Sequence, residues 1–180
     1  MSKTDTNYIA SSKALFVQYK KLCEKAMAQV QDEDLLKQIN ANSNSIYLIV
    51  KHLHGNMLSR WTDFLISDGE KTWRNRDNEF LQEDNMNREK LMQLWEEGWK
   101  CLFDTLDKLT PENLGNIVTI RGEKHSVMEA INRQVAHYSY HIGQIVFVCK
   151  IFQSDAWQTL SIAKGKSQEF NNAMQEKKEI

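Results

Sequence analysis

The sequence is poor in residues that interrupt helices and in long apolar runs. Its 180 residues include one proline and seven glycines, which leaves little material for the tight turns of a many-stranded fold. Its longest apolar runs, such as residues 145–149, have only five residues, whereas a membrane-spanning helix needs about 20. Residues 1–15 show neither an apolar segment nor a cleavage site, so we expect no secretory signal and no membrane partner.

Cysteine and net charge are also low. Three cysteines without a CxxC spacing make neither a disulfide framework nor a zinc finger, and a reducing cytoplasm is the compartment that we expect. With 23 Lys+Arg against 24 Asp+Glu, the formal net charge of −1 argues against a general nucleic-acid binder. A chain with 41% hydrophobic and 26% charged residues is typical of folded proteins, and its length predicts a single domain over residues 1–180.

Apolar residues recur every three to four positions in four long segments, which is the period of one helical face. The segments predict helices over about residues 6–30, 45–66, 87–109 and 126–152. The second helix is expected to begin near Ser43–Ser45, which offers several capping side chains, and Ser126 with Glu129 fits a capping box at the start of the fourth. We therefore predict an all-α fold, a four-helix bundle with long connections.

The remaining segments are polar or short. Residues 31–45 are expected to form a polar link, and residues 67–80 a long charged loop. Residues 116–125 contain a β-branched run and a glycine, which indicates either a short β-hairpin before the last helix or an extended crossover. From residue 153 onward we expect a polar tail that frays.

The histidines are the candidate functional residues. His137 and His141 are four positions apart on the predicted fourth helix, so both imidazoles leave the same face and can reach one metal ion. His52 and His54 are two positions apart and diverge by about 200°, so they cannot both reach that ion. The structural alternative is that these are buried histidines bonded to backbone carbonyls.

Two sequence segments contain the candidate histidines, HYSYHIGQI (137–145) and SIYLIVKHL (45–53). The first is similar to the HxxxHxGQI signature on the last bundle helix of the DinB-like superfamily, and the second resembles the second helix of that superfamily. Other segments resemble one branch of unknown function: GNMLSRWTDFL (55–65), DGEKTWRNRDNEF (68–80), HYSYHIGQIVFVCK (137–150) and WQTLSIAKGKSQEFN (157–171).

The resemblance implies an up-down-down-up bundle that forms a homodimer and binds a divalent metal, zinc or nickel, through three histidines. Carried over by position, the ligands are His52, His137 and His141. The periodicity of the second helix instead turns His54 toward the more apolar flank, so His54 remains the rival of His52. His125, in the last connection, is expected at the surface.

Two kinds of function remain open. Three neutral imidazoles leave a metal ion an open position, which suits either thiol transfer or hydrolysis. Some members of the superfamily resemble transferases of low-molecular-weight thiols such as bacillithiol or mycothiol, and others are described as hydrolases. No strong base adjoins the expected ligands, which favours thiol transfer. The alternative is a non-catalytic, metal-stabilised dimer that serves small-molecule binding or stress response.

Further polar residues are expected near this site. Asn56 and Gln144 lie one turn from the expected ligands and are candidates for hydrogen bonds to them or to substrate, although Gln144 equally suits a bundle-interior amide. Arg74 and Arg76, in the 67–80 loop, suit carboxylate or phosphate groups if the loop is a lid or a dimer clasp. A solvated, salt-bridged loop is the alternative. The cysteines fall on apolar rows, which predicts buried, unreactive thiols.

Overall fold

Four long helices and one hairpin carry most of the chain in this computed structural model, which describes residues 3–176 and the side chains of residues 7–176. The elements are α1 (Lys3–Met27), α2 (Asp32–Leu36), α3 (Ile46–Trp61), α4 (Arg88–Leu106), β1 (Ile117–Ile120), β2 (Glu123–Ser126), α5 (Val127–Gln153) and α6 (Ser167–Glu176). Short 3₁₀ turns lie at Asp77–Phe80, Pro111–Gly115 and Ser154–Ala156. The all-α class and the short hairpin are confirmed.

The helix starts follow from capping side chains. The hydroxyl of Ser45 accepts a hydrogen bond from the Leu48 backbone N–H at 3.2 Å. The hydroxyl of Ser126 accepts one from the Glu129 N–H at 3.2 Å, while the Glu129 carboxylate accepts one from the Ser126 N–H at 2.7 Å. These side chains satisfy N–H groups that have no partner inside their helices. The two starts predicted from the sequence are confirmed.

The core lies between the four long helices. Helix α1 packs against α4 and α5, and α3 packs against the same two helices. The largest buried side chains come from all four of them and include Phe16, Trp61, Trp95, Trp99 and Tyr138. Within residues 3–176, no helix combines the length and the apolar character needed to cross a membrane.

Several predicted boundaries were wrong. Helix α3 ends at Trp61 and not near residue 66, because Thr62 is extended and Asp63 has a φ of 51°, outside the helical region. The link over residues 31–45 contains α2, which is stabilised by burial of Leu35. The tail expected to fray forms α6 in its last described part, with all its side chains exposed.

The hairpin is attached to the charged loop. Strands β1 and β2 pair antiparallel through a two-residue turn of Arg121 and Gly122, both with positive φ (56° and 76°), as a tight hairpin turn requires. The carboxylate of Asp68 accepts hydrogen bonds from both N–H groups of this turn at 2.8 Å. The turn, and with it Arg121, is therefore fixed beside the start of the 67–80 loop.

Candidate metal centre

Three histidine side chains converge between α3 and α5. The Nε2 atom of His137 lies 3.4 Å from Nε2 of His52 and 3.1 Å from Nε2 of His141. One nitrogen from each of the three residues lies within 4.8 Å of the other two. Nitrogens about 2.0–2.1 Å from a tetrahedral ion are about 3.3 Å apart, so the observed spacing fits one metal ion.

Hydrogen bonds to the Nδ1 atoms of His52 and His141 decide which ring nitrogen of each histidine carries the proton and which is free to bind a metal ion. Nδ1 of His52 donates to the Glu79 carboxylate at 2.8 Å, because a carboxylate only accepts. Nδ1 of His141 lies 2.8 Å from Oε1 of Gln144. With the proton on Nδ1 in both rings, the two Nε2 lone pairs face the same point beside His137. Lone pairs arranged in this way fit a bound cation.

Glu79 is fixed by more than the histidine. Its carboxylate accepts hydrogen bonds from Nε and Nη2 of Arg74 at 2.7 and 3.0 Å. Burial alone raises the pKa of Glu79, but the hydrogen bonds of His52 and Arg74 and the charge of Arg74 together hold it below its ordinary value. Glu79 therefore stays an anion in a buried position.

Burial and mutual repulsion keep the other two rings neutral. Burial, followed by the charges of His141 and His52, lowers the pKa of His137 to about 3. Burial, followed by the charge of His52, lowers the pKa of His141 to about 4. Neutral imidazole is the form that ligates metals, so both side chains are ready to ligate at neutral pH.

The predicted site residues are placed as follows. His52, not His54, joins the cluster, and Nε2 of His54 instead lies 2.9 Å from Glu97. Gln144 contacts His141 as one of its two interpretations foresaw. Asn56 is buried and accepts a hydrogen bond from the Tyr138 hydroxyl at 3.1 Å. His125 is half-buried, and the expectation of a surface residue was wrong, because it lies in β2 next to α5.

Sequence reasoning missed Glu79. The helical positions next to the histidines carry no strong base, whereas Glu79 lies in a short 3₁₀ turn of the charged loop. A clue was present in Gly55 on α3, one turn after His52. A Cβ atom at Gly55 would overlap the Glu79 side chain, lying 2.9 Å from its Cδ. The glycine leaves room for the loop carboxylate against the helix.

The histidines open into a cavity of about 660 Å³. Its lining comprises Asn44, His52, Asn56, Arg60, Arg74, Arg76, Phe80, Arg121, Arg133, Gln134, His137, Tyr140, His141 and Gln144. The ring of Phe80 stacks on His52 with centroids 5.1 Å apart and covers one side of the cluster. The volume is within the usual range of small-molecule sites.

The three cysteines lie away from this cavity lining. Cys23 and Cys149 are buried, and burial raises the pKa of both thiols. Cys101 is only half-buried, but burial raises the pKa of its thiol too, and its Sγ lies 3.6 Å from the Thr62 hydroxyl. A thiol with a raised pKa is a poor nucleophile at neutral pH, so none of the three is a candidate for nucleophilic chemistry.

One family match accompanies this geometry. The family model described as "Protein of unknown function (DUF1572)" matches residues 3–166. Because the match covers most of the chain, the protein belongs to this family. A search of curated proteins found no match.

Proposed function

We propose that the protein is a divalent-metal-dependent enzyme of the DinB-like superfamily, which its histidine motifs resemble. Its proposed reaction is the transfer of a low-molecular-weight thiol to a small electrophile. The observation that carries the proposal is the convergence of three Nε2 atoms, from His52, His137 and His141, at the wall of a cavity large enough for a small molecule.

The ligand set supports zinc or nickel. Three neutral imidazoles suit either ion, and a divalent ion held by them supplies an open coordination position at which a thiol loses its proton readily. Glu79 would hold the ring of His52 in place, and Gln144 that of His141, since an oxygen of each side chain lies 2.8 Å from the Nδ1 atom of its histidine. Such outer contacts orient ligands and raise their basicity.

The cavity favours thiol transfer over hydrolysis. Hydrolysis at a metal ordinarily uses a nearby general base, and the described lining residues include no aspartate or glutamate. Glu79 is buried, accepts three hydrogen bonds from His52 and Arg74, and is not one of the lining residues. A thiolate needs no such base, because it is already the nucleophile.

Homodimer formation is part of the same proposal, since the resemblance implies it. Phe147 and Ile151 lie four positions apart on α5 with exposed fractions of 63% and 42%, and so offer an apolar surface for a second copy. Sedimentation at micromolar concentration tests this point separately from the chemistry.

Turnover tests the proposed function. Zinc- or nickel-loaded protein is mixed with an aromatic halide and each of several thiols, including bacillithiol, mycothiol and cysteine, and loss of free thiol is followed. Turnover that disappears in His141→Ala but persists in His54→Ala supports the proposal. If metal-loaded protein turns over no thiol, and His141→Ala changes only thermal stability, the protein is a metal-stabilised binding module instead.

A further inference from the structure

The cavity beside the histidines carries an excess of positive charge. Five arginines line it: Arg60, Arg74, Arg76, Arg121 and Arg133. Two carboxylates contact some of them: Glu70 contacts Arg60, Arg74 and Arg121, and Glu79 contacts Arg74. Three positive charges therefore remain without a matching carboxylate, in a chain whose net charge is −1. Such local concentration of one sign attracts ligands of the other sign.

Two arginines at the cavity have no acidic partner in the described part of the chain. Among residues 7–176, no aspartate or glutamate oxygen lies within 4 Å of a guanidinium nitrogen of Arg76 or Arg133. The guanidinium of Arg76 lies over the Phe80 ring, 5.2 Å from its centroid. Both residues are solvent-exposed, so they lie at the solvent-facing part of the cavity.

Deeper in the cavity, buried guanidinium groups keep donors without acceptors. The Arg74 side chain is 2% exposed and that of Arg60 is 7% exposed. Nε of Arg60 has no hydrogen-bond partner among the described residues, and Nη1 of Arg74, which lies 3.7 Å from Oε2 of Glu70, also makes no hydrogen bond. A buried charged donor without an acceptor is costly, and an anionic oxygen in the cavity would satisfy it.

Together these observations make a site with charge at two depths. Arg60 and Arg74 are fixed by Glu70 and Glu79, so their positions are set before any ligand enters. Burial is the main cause that lowers the pKa of Arg60. The charge of Glu70 raises this pKa, whereas the charges of Arg74 and Arg121 lower it further, because several cations are crowded together here. Guanidinium groups pair well with both carboxylate and phosphate.

We propose that the arginine-lined cavity binds an anionic head group, a dicarboxylate or a phosphate monoester, and that the substrate of the metal site carries that group. The substrate part of this inference rests on the proposed function, whereas the anion site itself does not. Arg76 and Arg133 contact the head group from the solvent side, and Arg60 and Arg74 contact it from within.

Calorimetry with simple anions tests the site without any reaction. Metal-loaded protein is titrated with malate, with glycerol phosphate and with the neutral diamide of succinate at fixed ionic strength. We expect malate or glycerol phosphate to bind and the diamide not to bind, and the tighter of the two anions identifies the head group. Equal binding of the diamide, or no binding of either anion, overturns the proposal.

Variants separate the arginines from the metal. Arg76→Gln combined with Arg133→Gln is expected to weaken anion binding at least tenfold, since both positive charges on the solvent side of the head group are removed. Lys164→Gln, which removes an exposed charge outside the cavity lining, is expected to leave it unchanged. In His141→Ala the anion is expected to bind still. Loss of binding in His141→Ala with no effect of the arginine substitutions would mean that the anion merely ligates the metal, and the proposal would be wrong.

The two proposals fail in different experiments. Anion binding that depends on the arginines, without turnover of any thiol, leaves the anion site standing and rejects the proposed reaction. The opposite result is turnover of an uncharged thiol and electrophile at the same rate in wild type and in the arginine variants, together with no anion binding. That result rejects the anion site and leaves the proposed reaction standing.

Discussion

The carboxylate of Glu79 accepts a hydrogen bond from Nδ1 of His52 at 2.8 Å, joining a loop to a helix across 27 positions of sequence. This contact fixes the ring so that Nε2 of His52 faces His137. The carboxylate is in turn fixed by Arg74. A carboxylate, a histidine and a metal position in series are a recurring arrangement in metalloproteins.

Glu79→Gln should weaken metal binding. An amide keeps the shape of the side chain but neither carries charge nor raises the basicity of His52, and loss of such a contact typically lowers affinity about 10–100-fold. Competition with a coloured chelator measures the dissociation constant, on variants that far-UV circular dichroism shows to be folded. Glu97→Gln is the matched control, because Glu97 contacts the other histidine, His54. Equal affinities of the two variants would contradict a role for Glu79.

Gly55→Ala should act on the same contact from the helix side. Its new methyl group would overlap the Glu79 side chain, which must move away from His52. Alanine stabilises a helix by about 1 kcal/mol relative to glycine, so the substitution should not destabilise α3 itself. We expect weaker metal binding of Gly55→Ala in the chelator assay. The control is Gly143→Ala on α5, where a Cβ meets no atom within 4 Å, and its metal affinity should not change. Unchanged affinity in Gly55→Ala would show that Glu79 can move without consequence for the metal.

Tyr138→Phe should destabilise the fold. The Tyr138 hydroxyl accepts a hydrogen bond from Nε1 of Trp61 at 3.0 Å and donates one to Asn56 at 3.1 Å, all within the core. Phenylalanine leaves both partners buried and unpaired, at a cost of about 1–3 kcal/mol each before relaxation. Urea unfolding of metal-free protein measures the difference in the free energy of unfolding. Tyr140→Phe, at an exposed position, should change it by less than about 0.5 kcal/mol, and an equal loss in both variants would argue against the buried network.

Asp68 should make stability depend on acid. Burial raises its pKa, but hydrogen bonds from the backbone of Glu70, Gly122 and Arg121 together outweigh burial and lower the pKa to about 2. A carboxyl group whose pKa is lower in the folded state stabilises the protein above its unfolded pKa of about 3.9 and loses that contribution as pH falls toward 2.

The comparison of wild type with Asp68→Asn measures this contribution. Urea unfolding at several pH values should show a difference of at most about 1 kcal/mol near pH 6, since solvent partly screens the half-buried carboxylate. The difference should shrink steadily between pH 4 and pH 2. A difference that is constant over this range would mean that the charge of Asp68 contributes nothing.

The sequence was informative where local chemistry decides structure. The helix starts at Ser45 and Ser126 depend on side chains a few residues away, and the pair His137 and His141 depends only on helical spacing. The choice of His52 over His54 came from resemblance to a family pattern, because periodicity alone turned the other ring toward the core.

The features that the sequence did not predict depend on contacts between segments that are distant in the sequence. The 67–80 loop has no periodic pattern, so nothing local indicated that its Glu79 and Arg74 would be buried against α3. The same holds for the arginines, which are spread over residues 60–133 and meet only when the loop, the hairpin and α5 come together. Composition cannot predict such a site, because the overall charge is balanced.

Metal content tests the central claim most directly. Protein produced without a histidine tag is analysed for zinc and nickel by elemental analysis, as wild type and as His52→Ala, His137→Ala and His54→Ala. The account predicts about one equivalent of metal in wild type and in His54→Ala, and a loss of that metal in His52→Ala and His137→Ala. Wild-type protein that holds no metal, even after reconstitution with zinc or nickel, would contradict it.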